Sequence, residues 1–114
     1  MRKAHSIRAH RLEEQILHEL GRILVEEIQD PRLELVTFSG VRINADLTIA
    51  EVLYTHRGDQ KKEDDVKKGL KAAAGFLRFR LGKKLQLRHV PELRFKWDEF
   101  LEEMIHDQPT NTDS

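Results

Sequence analysis

The sequence predicts an α+β domain in which a three-stranded sheet carries its helices on one face. Three observations lead there. A long amphipathic stripe runs from Ile7 to Ile28, two short alternating segments flank Asn44-Ala45-Asp46, and a second helical stripe gives way at Pro91 to a third alternating segment. At 114 residues the chain reads as one domain and can bury a usable core without metal or disulfide staples. The expected division is a folded unit over residues 1–107 and a disordered tail over 108–114, which is polar and free of core residues.

In the first stripe, Leu12, Ile16, Leu20, Ile23, Leu24 and Ile28 recur at three- and four-residue steps, which places them on one helical face. Gly21 weakens that helix by roughly 1 kcal/mol relative to Ala, which points to close packing at that position. Asp30-Pro31 ends it, because the residue before a proline is pushed out of the helical region.

Residues 35–43 read as a strand with a phase fault: Val36 and Phe38 share one parity, Val41 and Ile43 the other. An extra residue near Ser39-Gly40, a β-bulge, reconciles the two. Asn44-Ala45-Asp46 supplies a turn, and Thr48 to Thr55 returns as an antiparallel partner with Ala50, Val52 and Tyr54 on one face. Val66, Leu70, Ala73 or Ala74 and Leu77 open the second helix. Gly75 predicts a kink, beyond which Leu77, Leu81 and Leu85 continue as another helix. After Pro91, Leu93, Phe95 and Trp97 alternate with Arg94 and Lys96 in the third strand, and Trp97 is expected in the core. Phe100 to Ile105 is expected to be a short acidic helical segment.

Several function classes find no residues to rest on. With no cysteine, disulfide and thiolate chemistry are excluded, which fits a reducing cytoplasm. No long apolar run follows the basic start, so neither a signal peptide nor a membrane span is read. The six histidines form no metal-ligand pattern. Asp64-Asp65 and Glu102-Glu103 are neighbours that diverge on a helix, and no Walker loop or nucleophile elbow occurs. No catalytic residue, cofactor or metal is expected.

Charge is more informative. Lys plus Arg and Asp plus Glu are both 20, yet the signs are segregated. Arg2, Lys3, Arg8 and Arg11 open the chain without an acid, residues 76–96 hold seven cations against Glu92, and from Asp98 onward every charge is acidic. A neutral chain can thus present one positive face to a polyanion, although ordinary solvated faces are the plainer reading of charge alone. Phe76, Phe79, Arg80 and Lys83 cluster on one side of the second helix, and rings beside cations suit RNA. Aromatics serve cores more often than ligands, so Phe76 and Phe79 are expected to pack against the first helix, leaving the cations to phosphate.

These residues also carry a resemblance. Asp30-Pro31-Arg32-Leu33 after a long helix, Val41 and Asp46-Leu47 at the hairpin, Ala50-Glu51-Val52, Ala73-Ala74-Gly75-Phe76-Leu77-Arg78, Leu87-Arg88, Val90-Pro91-Glu92-Leu93-Arg94-Phe95 and Asp98 follow in order over about residues 5–100. The set resembles the ribosome-binding factor A family; Phe100 departs from it, standing where the family tends to place a small polar residue. The resemblance implies a KH-like fold of type II topology, helix-strand-strand-helix-kink-helix-strand. Ala73, Ala74 and Gly75 would form an interhelical kink in place of the Gly-x-x-Gly clamp of KH domains. It implies a non-enzymatic assembly factor that binds the free small ribosomal subunit through its rRNA, assists late maturation and rRNA processing, and matters most in the cold. Maturation GTPases are implied as further partners, and a cytoplasmic monomer is expected. The candidate RNA contacts are Arg8, Arg11, Arg78, Arg80, Lys83, Lys84 and Arg88. The rival reading is an adaptor that docks a basic protein partner through the acidic first helix and C-terminus.

Overall fold

Residues 7–59 and 62–101 are described in the computed structural model. The order is α1 (Ile7–Glu26), a 3-10 turn (Pro31–Leu33), β1 (Val36–Ile43), β2 (Ile49–His56), α2 (Glu63–Leu85) and β3 (Glu92–Trp97). β2 is the central strand, antiparallel to β1 and parallel to β3. One face of the sheet, built from Val36, Phe38, Val41, Ile43, Ala50, Val52, Tyr54 and Leu93, is buried together with Ile16, Leu20, Ile23, Leu70, Leu77 and Leu81 of the helices. The α+β architecture predicted from periodicity is the one observed. The expected tail over 108–114 and most of the acidic segment to Ile105 lie outside the described residues; of the latter, 99–101 are helical.

α1 stops at Glu26, one turn before the proline demands it. Asp30 then caps the 3-10 turn by accepting the Arg32 backbone N–H at 3.0 Å, and its carboxylate holds the Arg32 guanidinium at 2.8 Å. The phase fault in β1 is a bulge. Phe38 pairs with Tyr54 and Gly40 with Leu53, which leaves Ser39 as the extra residue and returns Val41 and Ile43 to the core face. The hairpin turn is closed by side chains: Asn44 Oδ1 accepts the Ile49 N–H at 2.8 Å, and Asp46 accepts the Thr48 hydroxyl at 2.6 Å. Trp97 is half-buried and packs edge-on to Tyr54 and His56.

The bulge has a second consequence. It aims the Ser39 hydroxyl at Asp98, whose Oδ2 accepts it at 2.6 Å while Oδ1 accepts the Leu101 N–H at 2.9 Å. Asp98 thus ties β1 to the helical turn that follows β3. The Ser39 hydrogen bond, opposed by burial and aided by the Leu101 N–H, holds its carboxyl below the ordinary 3.8. Glu13, buried on α1, meets β1 at its other end and accepts the Ile43 N–H at 2.9 Å.

Two sequence expectations fail here. Ala73, Ala74 and Gly75 do not separate two helices; α2 runs unbroken from Glu63 to Leu85. A glycine costs a helix about 1 kcal/mol, too little to break one anchored on the core by Val66, Leu70, Leu77 and Leu81. Nor does Gly21 mark a close approach, since a Cβ built there, as at Gly75, meets nothing within 4 Å. Gly69 is different: a Cβ would lie 2.9 Å from Leu33 Cδ2.

Two outcomes follow. Gly75→Ala raises stability by about 0.5–1 kcal/mol in urea denaturation, whereas Gly69→Ala lowers it. Because the folded Asp98 carboxyl is depressed, its contribution is present above pH 3.8 and is lost as pH falls through the lower folded value. Asp98→Asn therefore lowers stability near neutrality and flattens the acid limb of a stability–pH curve; an acid limb unchanged in the variant excludes this link.

Candidate nucleic-acid interface

Helix α2 carries the strongest charge signature in the chain. From Lys67 to Pro91 the cations are Lys67, Lys68, Lys71, Arg78, Arg80, Lys83, Lys84 and Arg88, and there is no acid. The helix dipole accounts for part of this, with Glu63, Asp64 and Asp65 in the first turn and Lys83 and Lys84 in the last. It gives no reason for Lys67, Lys68 and Lys71, which lie beyond the first turn.

The predicted contacts divide into two groups. Arg78 and Arg80 are engaged within the fold. Arg78 donates from Nε to Pro91 O at 3.0 Å and from Nη2 to Val90 O at 2.8 Å, fastening the α2–β3 connection back onto the helix. Arg80 forms a two-pronged pair with Glu27 at the end of α1, 2.7 Å from Nε to Oε1 and 3.3 Å from Nη2 to Oε2. That hydrogen bond, opposed by burial, draws the Glu27 carboxyl below its ordinary range. Arg80 therefore joins two helices rather than standing free for phosphate.

Lys83, Lys84 and Arg88 are exposed at and beyond the C-terminal end of α2, and Arg8 and Arg11 are exposed on the first turns of α1. The two sets are neighbours in space: Leu12, one turn after Arg8, lines the same apolar cleft as Leu87 and Arg88. Among the described residues, none offers Lys68, Lys71, Lys83, Lys84 or Arg88 a carboxylate within ion-pair distance.

The phenylalanines overturn the sequence expectation. Phe76 and Phe79 are not core residues; they are 43% and 59% exposed. The buried arc of α2 is already filled by Val66, Gly69, Leu70, Leu77 and Leu81; at 100° per residue Phe76 falls just past its edge and Phe79 well outside it. Lys83 Nζ lies 5.4 Å from the Phe79 ring centre, a cation–π contact on the open surface. Residue-by-residue reading also missed Lys67, Lys68 and Lys71. Lys67 and Lys71, with Lys96, line a groove floored by Leu70, Ala74, Phe95 and Trp97. The signal that marks them is the acid-free run itself, which begins nine residues before the window in which the charge imbalance is first read.

Residues 8–108 match the family model described as ribosome-binding factor A. The chain belongs to the ribosome-binding factor A family. A member from Nitrosomonas eutropha is 41% identical over 98 residues, which is 86% of this chain and 84% of that protein. Among solved structures, a ribosome binding factor A from Thermotoga maritima aligns with a TM-score of 0.71 at 31% identity, covering 83% of this chain and 91% of its own. The Thermus thermophilus crystal structure gives 0.68 at 26% identity over 77% and 93%. A Thermus thermophilus homology model, fitted into a cryo-EM map of a 30S complex of the factor, gives 0.65 at 28% identity over 80% and 96%.

Members of the ribosome-binding factor A family are ribosome-binding proteins, not catalysts, and the charge map of this one agrees with that task. A cluster of its free cations lies along one long helix and the adjoining end of α1, while Arg78 and Arg80 are spent on the scaffold. Arg80→Ala should accordingly lower Tm by several degrees in thermal denaturation, since Glu27 keeps only Arg22 and the α1–α2 tie is cut. Lys83→Ala with Lys84→Ala should leave Tm unchanged.

Proposed function

We propose that this family member binds the free small ribosomal subunit through its rRNA and assists late maturation, including rRNA processing, without a chemical step of its own. The observation that carries this reading is the outer face of α2 beyond its acidic first turn, which holds no acid and has free lysines at Lys68 and Lys71 and again at Lys83 and Lys84. A row of unpaired cations on a rigid helix suits a phosphate backbone. Each phosphate it neutralises releases a counterion, so affinity derives largely from salt-dependent electrostatics. The 30S complex of the Thermus thermophilus relative supports the same partner. A cytoplasmic monomer that acts alongside maturation GTPases, and matters most in the cold, belongs to the same proposal.

The adaptor reading has weaker support. Its acidic first helix is already committed: Glu13 holds the Ile43 N–H, Glu19 and Glu26 hold Arg22, and Glu27 holds Arg22 and Arg80. Little negative charge on that face remains to attract a basic partner.

Co-sedimentation with purified small subunits, large subunits and whole ribosomes, at two salt concentrations, tests the proposal. Salt-sensitive migration with free small subunits is the expected outcome. Charge reversal at Lys68, Lys71, Lys83 and Lys84 together should abolish it without unfolding the domain. Each lost phosphate contact should also flatten the log–log salt slope by roughly 0.7–0.9. Migration with no ribosomal particle at low salt would defeat the proposal.

A further inference from the structure

The outer surface of α2 contains a strip that neither the core nor the scaffold uses. Lys68, Ala72, Phe76, Phe79 and Lys83 follow one another at three- and four-residue steps, Gly75 lies one turn before Phe79 beside them, and all six are exposed. The strip spans about 22 Å from Lys68 to Lys83 at 1.5 Å per residue. Its ends are cationic and its middle is apolar and flat: a methyl group, a bare backbone and two rings.

Resting on the rRNA reading above, we infer that this strip is a stacking platform for unpaired bases, with Phe76 and Phe79 as the stacking surfaces and Lys68 and Lys83 on the flanking phosphates. Exposing two phenylalanines on one helix face forgoes their burial, and packing does not require it, because the core arc is complete without them. Gly75 lowers helix stability with no internal return, since a Cβ there would meet nothing within 4 Å. Beside Phe79, one turn before it on the helix, the missing side chain of Gly75 lets a flat group come down to the helix backbone. Lys83 is held over the Phe79 ring, so the charge sits beside the stacking surface rather than away from it.

The chemistry of the partner follows from the neighbours. No acid occurs on α2 beyond its first turn, so the apolar middle is enclosed by positive charge. A ligand that offers flat apolar faces joined by negative charge at short intervals complements this, and single-stranded RNA has that form. A duplex does not, because its bases are already stacked on each other and present no free face. The platform therefore selects unpaired rRNA, whereas the lysines alone accept any phosphate backbone.

The test uses the whole chain, a short single-stranded RNA carrying 2-aminopurine, the corresponding duplex, and purified small subunits. The variant is Phe76→Leu with Phe79→Leu, which keeps every cation and an apolar side chain at both positions; circular dichroism and Tm check its fold. Wild type should quench 2-aminopurine on binding. The variant should bind single strands about 10–100-fold more weakly, with duplex affinity and salt slope unchanged, as expected when base stacking of 1–3 kcal/mol is removed and charge is not. Single-strand affinity equal to wild type overturns the platform, as does an equal fall for single strand and duplex. Loss of subunit binding with single-strand affinity intact also overturns it, and assigns the strip to a ribosomal protein. If wild type binds neither RNA nor small subunits, the rRNA reading fails and the platform with it. If wild type binds subunits and only the stacking prediction fails, the platform alone is lost.

Discussion

β3 lies parallel to β2, and a parallel neighbour cannot be reached by a tight turn. The chain must travel back along the whole sheet before it can start again in the same direction, and a helix is the ordinary means of doing so. α2 is that return path. Its 23 residues extend about 34 Å, longer than an eight-residue strand at about 26 Å. A helix so placed has one arc committed to the sheet and the opposite arc open to solvent along its whole length. The cationic and aromatic surface argued above is possible because the topology requires a long helix there.

The polar groups that hold this arrangement lie at element ends, where backbone groups would otherwise lack partners. Glu13 covers an N–H of β1, Arg78 covers two carbonyls of the α2–β3 connection, and Asp98 joins the bulged Ser39 to the turn after β3. Arg80 and Glu27 tie the two helices where apolar contact between them gives way to surface. Arg78 and Arg80 are thereby taken out of the pool of cations that could meet RNA. The lysines, flexible and without such partners, are what remains for phosphate. Scaffold and binding surface thus divide between arginine and lysine on α2, a difference of chemistry rather than of sign.

In the proposal, the open arc of α2 would combine two kinds of recognition with different reach. Lysine charge acts over roughly a Debye length and accepts any phosphate chain, so it attracts without choosing. Ring stacking acts only on contact and only on a base that is not already stacked. On the proposed reading, the two together would favour RNA that is exposed and incompletely paired.

The order of elements apart from the expected break in α2, the buried faces of α1 and the strands, the bulge at Ser39 and the hairpin at Asn44 could all be read from the chain. They arise from patterns repeating within a few residues, and chirality and pleating convert those patterns directly into structure. The fate of individual side chains could not be read in this way. Arg80 and Glu27 are 53 residues apart, and Ser39 and Asp98 are 59 apart. Nothing local marks either pair, so Arg80 looked as free as Lys83. Phe76 and Phe79 looked like core because aromatics usually are, and only the completed packing of Val66, Leu70, Leu77 and Leu81 shows that no place was left for them. Gly75 looked like a break because its cost is local, whereas the burial that carries the helix through it is contributed by the sheet and α1. Short-range periodicity settled the framework; which groups stay free to bind depended on partners that folding alone brings within reach.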